Sequence, residues 1–192
     1  MQDKTFNIII SGVGGQGVIT MLSLIDEAVF IDGYDVKSSE LHGLSQRGGS
    51  VLAHVRLGKK VYSPLVQDGR ADLIIGLELL EGLRVLNFAN KDTAVLVNKY
   101  IFPVLGGLPQ KEIVKKLNES FTKKMHIIEA SDICKAKLQN EVVGAIYLLG
   151  YAVGKNLIPI KKESILKAIE NIVPEKYREL NIKAFNLAYG DN

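Results

Sequence analysis

The stretch FNIIISGVGGQGV, residues 6–18, decides the fold. It opens with a short run of β-branched residues, which is typical of a parallel strand buried on both faces. The glycine turn, defined here as residues 12–17, follows directly. Apolar residues then recur at helical spacing as far as Val29, which predicts a helix over residues 17–31 packed on the sheet. A strand, a glycine turn and a helix in this order indicate the first unit of an α/β domain.

Strands and helices continue to alternate along the rest of the chain. Period-two alternation over residues 51–57, followed by Gly58-Lys59-Lys60, predicts a β-hairpin whose second strand returns over Val61–Ser63. Other strands are expected at 34–38, 72–76, 94–97 and 126–129, and helices at 78–88, after Pro109, and at 139–154, 163–173 and 175–189. The order predicts one Rossmann-like, three-layer α/β domain of residues 1–192. Its sheet is largely parallel, with an inserted β-hairpin and a helical C-terminal region.

The composition fits one folded domain. The chain has 192 residues, of which 47% are hydrophobic and 23% charged, so a core can offset the cost of ordering the chain. Cys134 is the sole cysteine, which excludes a disulfide scaffold, a cysteine-ligated Fe–S cluster and a cysteine-based zinc site within this chain. The three histidines are scattered, so we expect no metal site.

Charge and hydropathy argue against nucleic acid and membranes as partners. The net charge is only +3, there is no tryptophan, and glutamates interrupt the lysines of residues 111–124, as on a solvated helix face. The apolar run at residues 8–10 is too short for a signal peptide, and the run at 142–153 is too short to span a bilayer. We therefore expect a cytoplasmic protein.

The glycine turn has the spacing of an anion-binding loop. Gly12, Gly14 and Gly17 fit the pattern G-x-G-x-x-G between a strand and a helix, where glycines permit positive φ and the helix N-terminus attracts anions. A dinucleotide site also needs an acidic residue after the second strand, and the nearest candidate, Glu40, lies in an unusual segment. Three interpretations stay open: NAD or FAD binding, a turn that only packs the helix on the sheet, and binding of another anionic group.

The segment ELHGLSQRGGS, residues 40–50, carries a mixture of side chains that core packing does not require. It combines an acid, an imidazole, an amide, a guanidinium and three glycines. Arg47 can form a bidentate contact with a carboxylate or phosphate. Gly48 and Gly49 allow a ligand or another backbone to approach closely. The segment therefore indicates a ligand site or an interface.

The other titratable residues offer weaker candidates. His42 invites two hypotheses, a general base oriented by Glu40 and a hydrogen-bonded structural or interface histidine, and we favour the second because no nucleophile is indicated. The rest are expected to be structural: His54 on an exposed strand face, His126 beside a strand, Cys134 as a small buried residue, Asp68 and Asp72 in a turn, and Glu78 and Glu81 on a helix surface.

The two motifs together resemble a known family. The glycine turn followed by the segment 40–50 is similar to the gamma domain of 2-oxoacid:ferredoxin oxidoreductases. Residues 61–64, Val-Tyr-Ser-Pro, and the stretch 71–78 also match its style. The resemblance is strongest over residues 6–100. Within the family it is greatest to small (beta) subunits of indolepyruvate ferredoxin oxidoreductases, which consist of this domain alone.

The resemblance implies a non-catalytic subunit of an oxidoreductase that decarboxylates a 2-oxoacid, forms the acyl-CoA and reduces ferredoxin. Indolepyruvate, or another aryl pyruvate, is the preferred substrate. Thiamine diphosphate, Mg and Fe–S clusters would lie on a large partner subunit and none would be bound by this chain alone. The alternatives are the gamma subunit of a pyruvate or 2-oxoglutarate ferredoxin oxidoreductase, and a stand-alone nucleotide-binding module.

The resemblance also implies roles for the two motifs. The isolated chain is expected to be inactive and able to form a homodimer, with no catalytic residue and no metal ligand of its own. The expected contacts with coenzyme A or another anion are Gly12, Gly14, Gly15, Gln16, Gly17 and Arg47. The expected interface with the partner is Glu40, His42, Gln46, Arg47, Gly48 and Gly49.

Overall fold

The computed structural model describes residues 4–43, 48–103, 107–120 and 124–190. The strands are β1 (Phe6–Val13), β2 (Asp35–His42), β3 (Ser50–Gly58), β4 (Leu73–Gly76), β5 (Ala94–Asn98) and β6 (Met125–Ile128). The helices are α1 (Val18–Ile31), α2 (Leu79–Arg84), α3 (Gln110–Ser120), α4 (Ala130–Leu138), α5 (Gly144–Gly154), α6 (Lys162–Ile172) and α7 (Glu175–Gly190). Short 3-10 turns lie at Leu86–Phe88 and Glu141–Val143. Within these ranges every helix is too short or too polar to cross a membrane.

The strands form one sheet with helices on both faces. The sheet order is β2-β3-β1-β4-β5-β6, and β1, β4, β5 and β6 run parallel to one another. Side chains of α1 and of α4 to α7 join a core on one face of the sheet, whereas α2 and α3 pack on the other face. Alternate residues of β1 feed the two cores, since Ile8 and Ile10 face one and Ile9 the other. The three-layer, largely parallel fold predicted from the sequence is confirmed.

The inserted hairpin exists, but it uses different strands from those predicted. β3 pairs antiparallel with both β2 and β1, whereas residues 61–63 form no strand. The Val61 amide instead donates to Oδ2 of Asp35 at 2.8 Å, and Arg56 Nη1 donates to the Ser63 carbonyl at 3.0 Å. Side chains of β2 and β3 therefore hold this segment as a loop. β2 is also longer than expected, because every residue from Asp35 to His42 has a partner on β3.

The helical C-terminal region closes over α1. Helix α4 was absent from the sequence-based prediction, and the expected helix 139–154 is shortened to the 3-10 turn followed by α5. Asp32, directly after α1, accepts a hydrogen bond from Ser164 Oγ at 2.7 Å. Glu27 accepts one from Asn171 Nδ2 at 2.8 Å. The last part of the chain therefore fixes the outer face of the helix that follows the glycine turn.

The sheet places the glycine turn at its topological switch point. The helix after β1 lies on one face of the sheet, whereas the helix after β4, the parallel neighbour of β1, lies on the other. The chain segments that follow the two strands therefore turn to opposite faces of the sheet and leave a crevice between them. Such a crevice is the usual ligand position in an open α/β sheet. β2 runs parallel to β1, since both pair antiparallel with β3, so the β2–β3 connection reaches the same edge.

Candidate functional site

The glycine turn is held in one shape by its own hydrogen bonds. The Val13 amide donates to Oε1 of Gln16 at 2.8 Å, and the Gln16 amide donates to the Val13 carbonyl at 3.0 Å. Gly15 has a φ of 99° and Gly17 a φ of 91°, in the left-handed region that favours glycine. The side chain of Gln16 is thus already engaged within the turn.

Gly12 and Gly14 make contacts inside the protein. A Cβ atom on Gly12 would lie 2.9 Å from Cγ2 of Val18 and 3.0 Å from Cβ of Leu77, so glycine lets α1 pack closely on the sheet. The Gly14 amide donates to the carbonyl of Gly49 at 2.8 Å. The packing interpretation therefore applies to Gly12, while Gly14 ties the glycine turn to the β2–β3 connection.

The start of α1 presents N–H groups beyond the turn. Its N-cap residue is Gly17, which has no side chain to cap the helix, and the first helical turn contains no acidic residue. The amides of residues 18–20 have no partner within the helix, because the Met21 amide is the first to reach a helical carbonyl, that of Gly17, at 2.9 Å. The helix dipole adds partial positive charge here. The geometry suits an anionic group in front of Gly15 and Gly17.

Among the described residues, three cavities open around the glycine turn, and Gly15 lines all of them. One of about 450 Å³ lies beside the ends of β2 and β3. Another, of about 340 Å³, occupies the crevice at the switch point. The third, of about 600 Å³, lies between α1 and the C-terminal helices. Further lining residues are, in the same order, His42 and Val51, Asn98 and Phe102, and Ile19 and Tyr177. A ligand bound at the turn has room to extend.

Glu40 and His42 lie on strand β2, not in the loop expected from the sequence. Both side chains are exposed, and His42 Nδ1 lies 3.1 Å from the carbonyl oxygen of Gly43. His42 lines the cavity beside the glycine turn. Its position therefore suits contact with a ligand or a partner.

The rest of the 40–50 segment is described only in part. Gln46 and Arg47 lie outside the described residues, so their roles stay predictions. Gly48 has a φ of 75°, and a Cβ atom on it would lie 3.7 Å from the ring of Phe102. Gly49 accepts the hydrogen bond from Gly14 described above. Gly48 thus lines the crevice, and Gly49 is tied to the glycine turn.

Two buried carboxylates behind this edge were wrongly expected on a helix surface. Glu78 and Glu81 are only 2% and 4% exposed. Oε2 of Glu78 accepts the Glu81 amide at 2.8 Å and so caps α2, while Oε1 accepts the Phe102 amide at 3.3 Å. Burial raises the pKa of the Glu78 carboxyl; amide hydrogen bonds oppose this rise and the nearby charge of Glu81 adds to it. The sequence feature related to this burial is the pair Gly76 and Gly82, which the prediction did not use. A Cβ atom on Gly76 would lie 2.8 Å from Cα of Gly82, so α2 packs unusually close to the sheet.

Glu81 connects α2 to the first residue of β3. Its Oε2 accepts a short hydrogen bond from Ser50 Oγ, and its Oε1 accepts from Arg84 Nη1. The Arg84 side chain is 56% exposed, so the positive member of the Glu81–Arg84 ion pair lies at the surface. Ser50 directly follows Gly49, the residue that holds Gly14.

A buried amide links the ends of neighbouring elements at the same edge. Asn98 Nδ2 donates to the Leu77 carbonyl at 3.2 Å and to Ser131 Oγ at 2.8 Å. Asn98 Oδ1 accepts the Ser131 amide at 3.3 Å. The three chain segments that form one wall of the crevice are therefore joined.

The other two histidines and the cysteine line none of the three cavities at the glycine turn, whereas Glu141 lines the crevice of about 340 Å³. His54 is buried, contrary to its expected exposed position, and its Nδ1 accepts the Val66 amide at 3.2 Å; burial lowers its pKa. His126 lies within β6, and burial, together with Lys155, lowers its pKa. Cys134 is buried as predicted, and burial raises the pKa of its thiol to about 11. In the part of the chain that the structure describes, no three His, Cys, Asp or Glu side chains group as metal ligands.

Fold and site together define an α/β domain whose glycine turn lies at the switch point of the sheet and presents the first N–H groups of α1 there. The sequence model of the family described as pyruvate ferredoxin/flavodoxin oxidoreductase matches residues 7–190. The chain belongs to this family, which confirms the resemblance seen in the two motifs.

Several relatives are similar to the chain over nearly its full length. The indolepyruvate oxidoreductase subunits IorB of Pyrococcus horikoshii and Thermococcus kodakarensis are 36% and 37% identical to it, each over 96% of this chain and 94% of its own. The pyruvate/ketoisovalerate oxidoreductases common subunit gamma of Pyrococcus abyssi is 28% identical over 93% of this chain and 92% of its own. These are similarities across nearly the full length of each protein.

Two solved structures share the fold. The gamma subunit of keto/oxoacid ferredoxin oxidoreductase from Geobacter sulfurreducens has a TM-score of 0.71 at 23% identity and covers 96% of both chains. The 2-oxoglutarate:ferredoxin oxidoreductase from Magnetococcus marinus, solved with 2-oxoglutarate, coenzyme A and succinyl-CoA bound, has a TM-score of 0.74 at 17% identity. This chain corresponds to 31% of that longer one, with 98% of its own residues covered. The fold recurs both as a separate subunit and as part of a larger chain.

Proposed function

We propose that the chain is the small, non-catalytic subunit of a 2-oxoacid:ferredoxin oxidoreductase whose substrate is indolepyruvate or another aryl pyruvate. Its family and the near full-length similarity to indolepyruvate oxidoreductase subunits support this role. In this proposal residues 1–192 form one gamma-type domain of a cytoplasmic complex. The products are the acyl-CoA, carbon dioxide and reduced ferredoxin.

The observation that carries a ligand role for this chain is the uncapped start of α1 at the switch point. Amide groups, a helix dipole and left-handed glycines face open cavities there. We assign this position to an anionic group of coenzyme A, with Arg47 as a second contact. A structural relative holds coenzyme A, which fits the assignment. In this proposal the site binds and orients coenzyme A. The amides and apolar side chains around it have no chemical role in the reaction.

The redox groups of such an enzyme do not fit this chain. It has one cysteine, which is buried, and the described residues contain no metal-binding group of side chains. Thiamine diphosphate, Mg and Fe–S clusters are therefore assigned to a large partner subunit. Exposed apolar residues beside the 600 Å³ cavity, Ile19, Val142 and Tyr177, would be covered in the complex and would favour self-association without it.

Anaerobic co-purification with the large subunit tests the proposal. We expect a stable, iron-containing complex that reduces ferredoxin with indolepyruvate and coenzyme A, faster than with pyruvate or 2-oxoglutarate. A higher rate with pyruvate or 2-oxoglutarate would reassign the chain to the other gamma subunits. A chain that purifies alone and binds NAD or FAD would support the stand-alone nucleotide-binding module instead.

Arg47→Ala tests the anion contact in the assembled complex. We expect the KM for coenzyme A to rise about tenfold, because one charge-assisted contact is lost. Arg70→Ala, at an exposed position in the loop before β4, is a control of equal charge change. An unchanged KM together with unchanged subunit association would remove Arg47 from the site.

A further inference from the structure

We propose that Glu78 and Glu81 are positioning residues for the glycine turn. They hold the two chain segments that border the turn, the start of β3 and the segment 99–103, and through them they set the affinity of the turn for its ligand. The inference rests on the proposed function for the identity of that ligand. Both carboxylates act through other residues and lie behind the crevice.

Glu81 reaches the glycine turn through β3. Its carboxylate accepts the hydroxyl of Ser50, and the preceding residue, Gly49, accepts the Gly14 amide at 2.8 Å. Two consecutive residues at the start of β3 are thus fixed, one to α2 and one to the turn. We expect loss of the Ser50–Glu81 hydrogen bond to weaken the Gly14–Gly49 hydrogen bond, because Gly49 and Ser50 are consecutive in the backbone.

Glu78 fixes the opposite border. Its Oε1 accepts the Phe102 amide at 3.3 Å, and the Leu79 amide donates to the Tyr100 carbonyl at 2.9 Å. The Phe102 ring in turn lies close to Gly48. A Cβ atom added to Gly48 would be 3.7 Å from this ring. The two borders therefore meet across the crevice of about 340 Å³, which Gly14, Gly48 and Phe102 all line.

Two buried carboxylates close together lower the free energy of unfolding unless other interactions compensate for their burial. Apolar side chains at the same positions would avoid both desolvation and the repulsion of neighbouring acids. Each carboxylate instead uses both of its oxygens as acceptors, four hydrogen bonds to four different groups. Such a fully satisfied polar cluster selects one arrangement of the segments that it joins.

Hydrogen–deuterium exchange of the full chain tests the positioning role. The variants are Ser50→Ala, which removes only the donor; Ser50→Thr, which keeps a hydroxyl; Glu81→Gln; and Glu179→Gln, which changes an exposed carboxylate on α7. We expect exchange of the Gly14 amide, which donates to the Gly49 carbonyl, to be about tenfold faster in Ser50→Ala and Glu81→Gln, while the core strands β4 and β5 keep their rates. Ser50→Thr restores the protection, and Glu179→Gln never loses it.

Unchanged exchange of the Gly14 amide, or an equal increase throughout the chain, would overturn the proposal. The second result would show a loss of general stability only. In the assembled enzyme, Ser50→Ala should raise the KM for coenzyme A about threefold or more while kcat is retained. Local loss of protection with an unchanged KM would support the positioning role and count against coenzyme A as the ligand, so the two proposals can fail separately.

Discussion

Replacing Gly15 by alanine separates the backbone shape of the glycine turn from its packing. Gly15 has a φ of 99°, and an added Cβ atom would meet nothing within 4 Å. The substitution therefore introduces no clash, only the strain of an L-residue at this φ, which costs about 1–3 kcal/mol. Alanine also restricts the unfolded chain, which offsets about 0.4–1 kcal/mol. We expect the free energy of unfolding to fall by about 1–2 kcal/mol and Tm by roughly 2–8 °C for a chain of this size.

Two other glycines serve as matched controls. Gly33, after the far end of α1, has a φ of 75° and equally open space, so Gly33→Ala carries similar strain at a distance from the site. Gly43 is open and outside the left-handed region, so Gly43→Ala should leave stability unchanged or raise it slightly. The three variants differ in strain and in location but not in chemistry.

Denaturant unfolding and coenzyme A affinity are the two measurements. Gly15→Ala and Gly33→Ala should lose similar stability, and only Gly15→Ala should weaken coenzyme A in the assembled enzyme, because its methyl group stands in front of α1. Equal stability of Gly15→Ala and Gly43→Ala would refute the strain argument. Equal affinity of Gly15→Ala and Gly33→Ala would refute a ligand at the turn.

Three further predictions concern the fold. Burial lowers the pKa of His54, so the unfolded chain binds this proton first as the pH falls below about 6.5; His54 should contribute at most ~1.4 kcal/mol per pH unit to the fall in the free energy of unfolding, and His54→Gln should make the measured curve less steep by that amount. The Cys134 thiol, buried with a pKa of about 11, should resist iodoacetamide in the native protein at pH 8 and react after unfolding; rapid native labelling would contradict its burial. Gly150→Ala should destabilise the protein by about 3 kcal/mol or more, since a Cβ atom would lie 2.3 Å from the Phe185 carbonyl oxygen; a Tm equal to the wild type would contradict the close α5–α7 packing.

Local sequence signals predicted the elements that local chemistry determines. The β-branched run, the glycine turn and the apolar spacing after it led directly to β1 and α1. Helix α4 was missed although Ala130, Cys134 and Leu138 recur at helical spacing, because only the first two are buried and polar residues fill the positions between them. The hairpin was placed on the wrong strands because strand pairing depends on tertiary contacts: β3 found its partners in β2 and β1, and hydrogen bonds to side chains held residues 61–63 as a loop.

The site was predictable where backbone chemistry defines it and not where packing does. The spacing of Gly12, Gly14 and Gly17 made anion binding one of three interpretations of the turn, and the structure shows a left-handed backbone at Gly17 and at Gly15. The spacing of Glu78 and Glu81 could not reveal their burial, because that burial depends on α2 packing close to the sheet at Gly76 and Gly82. Two acids three residues apart at the start of a short helix resemble a surface pair until the position of the helix is known.

The contact between Asp32 and Ser164 has a consequence for the order of synthesis. It joins residues 132 positions apart, next to the helix that follows the glycine turn. The part of this core face that α1 does not cover stays exposed until α5 to α7 have been synthesised, roughly 5–18 s after the first five strands at ordinary elongation rates. The nascent N-terminal half therefore exposes an apolar surface during translation. We therefore expect C-terminal truncations to yield aggregated protein in place of a smaller folded unit.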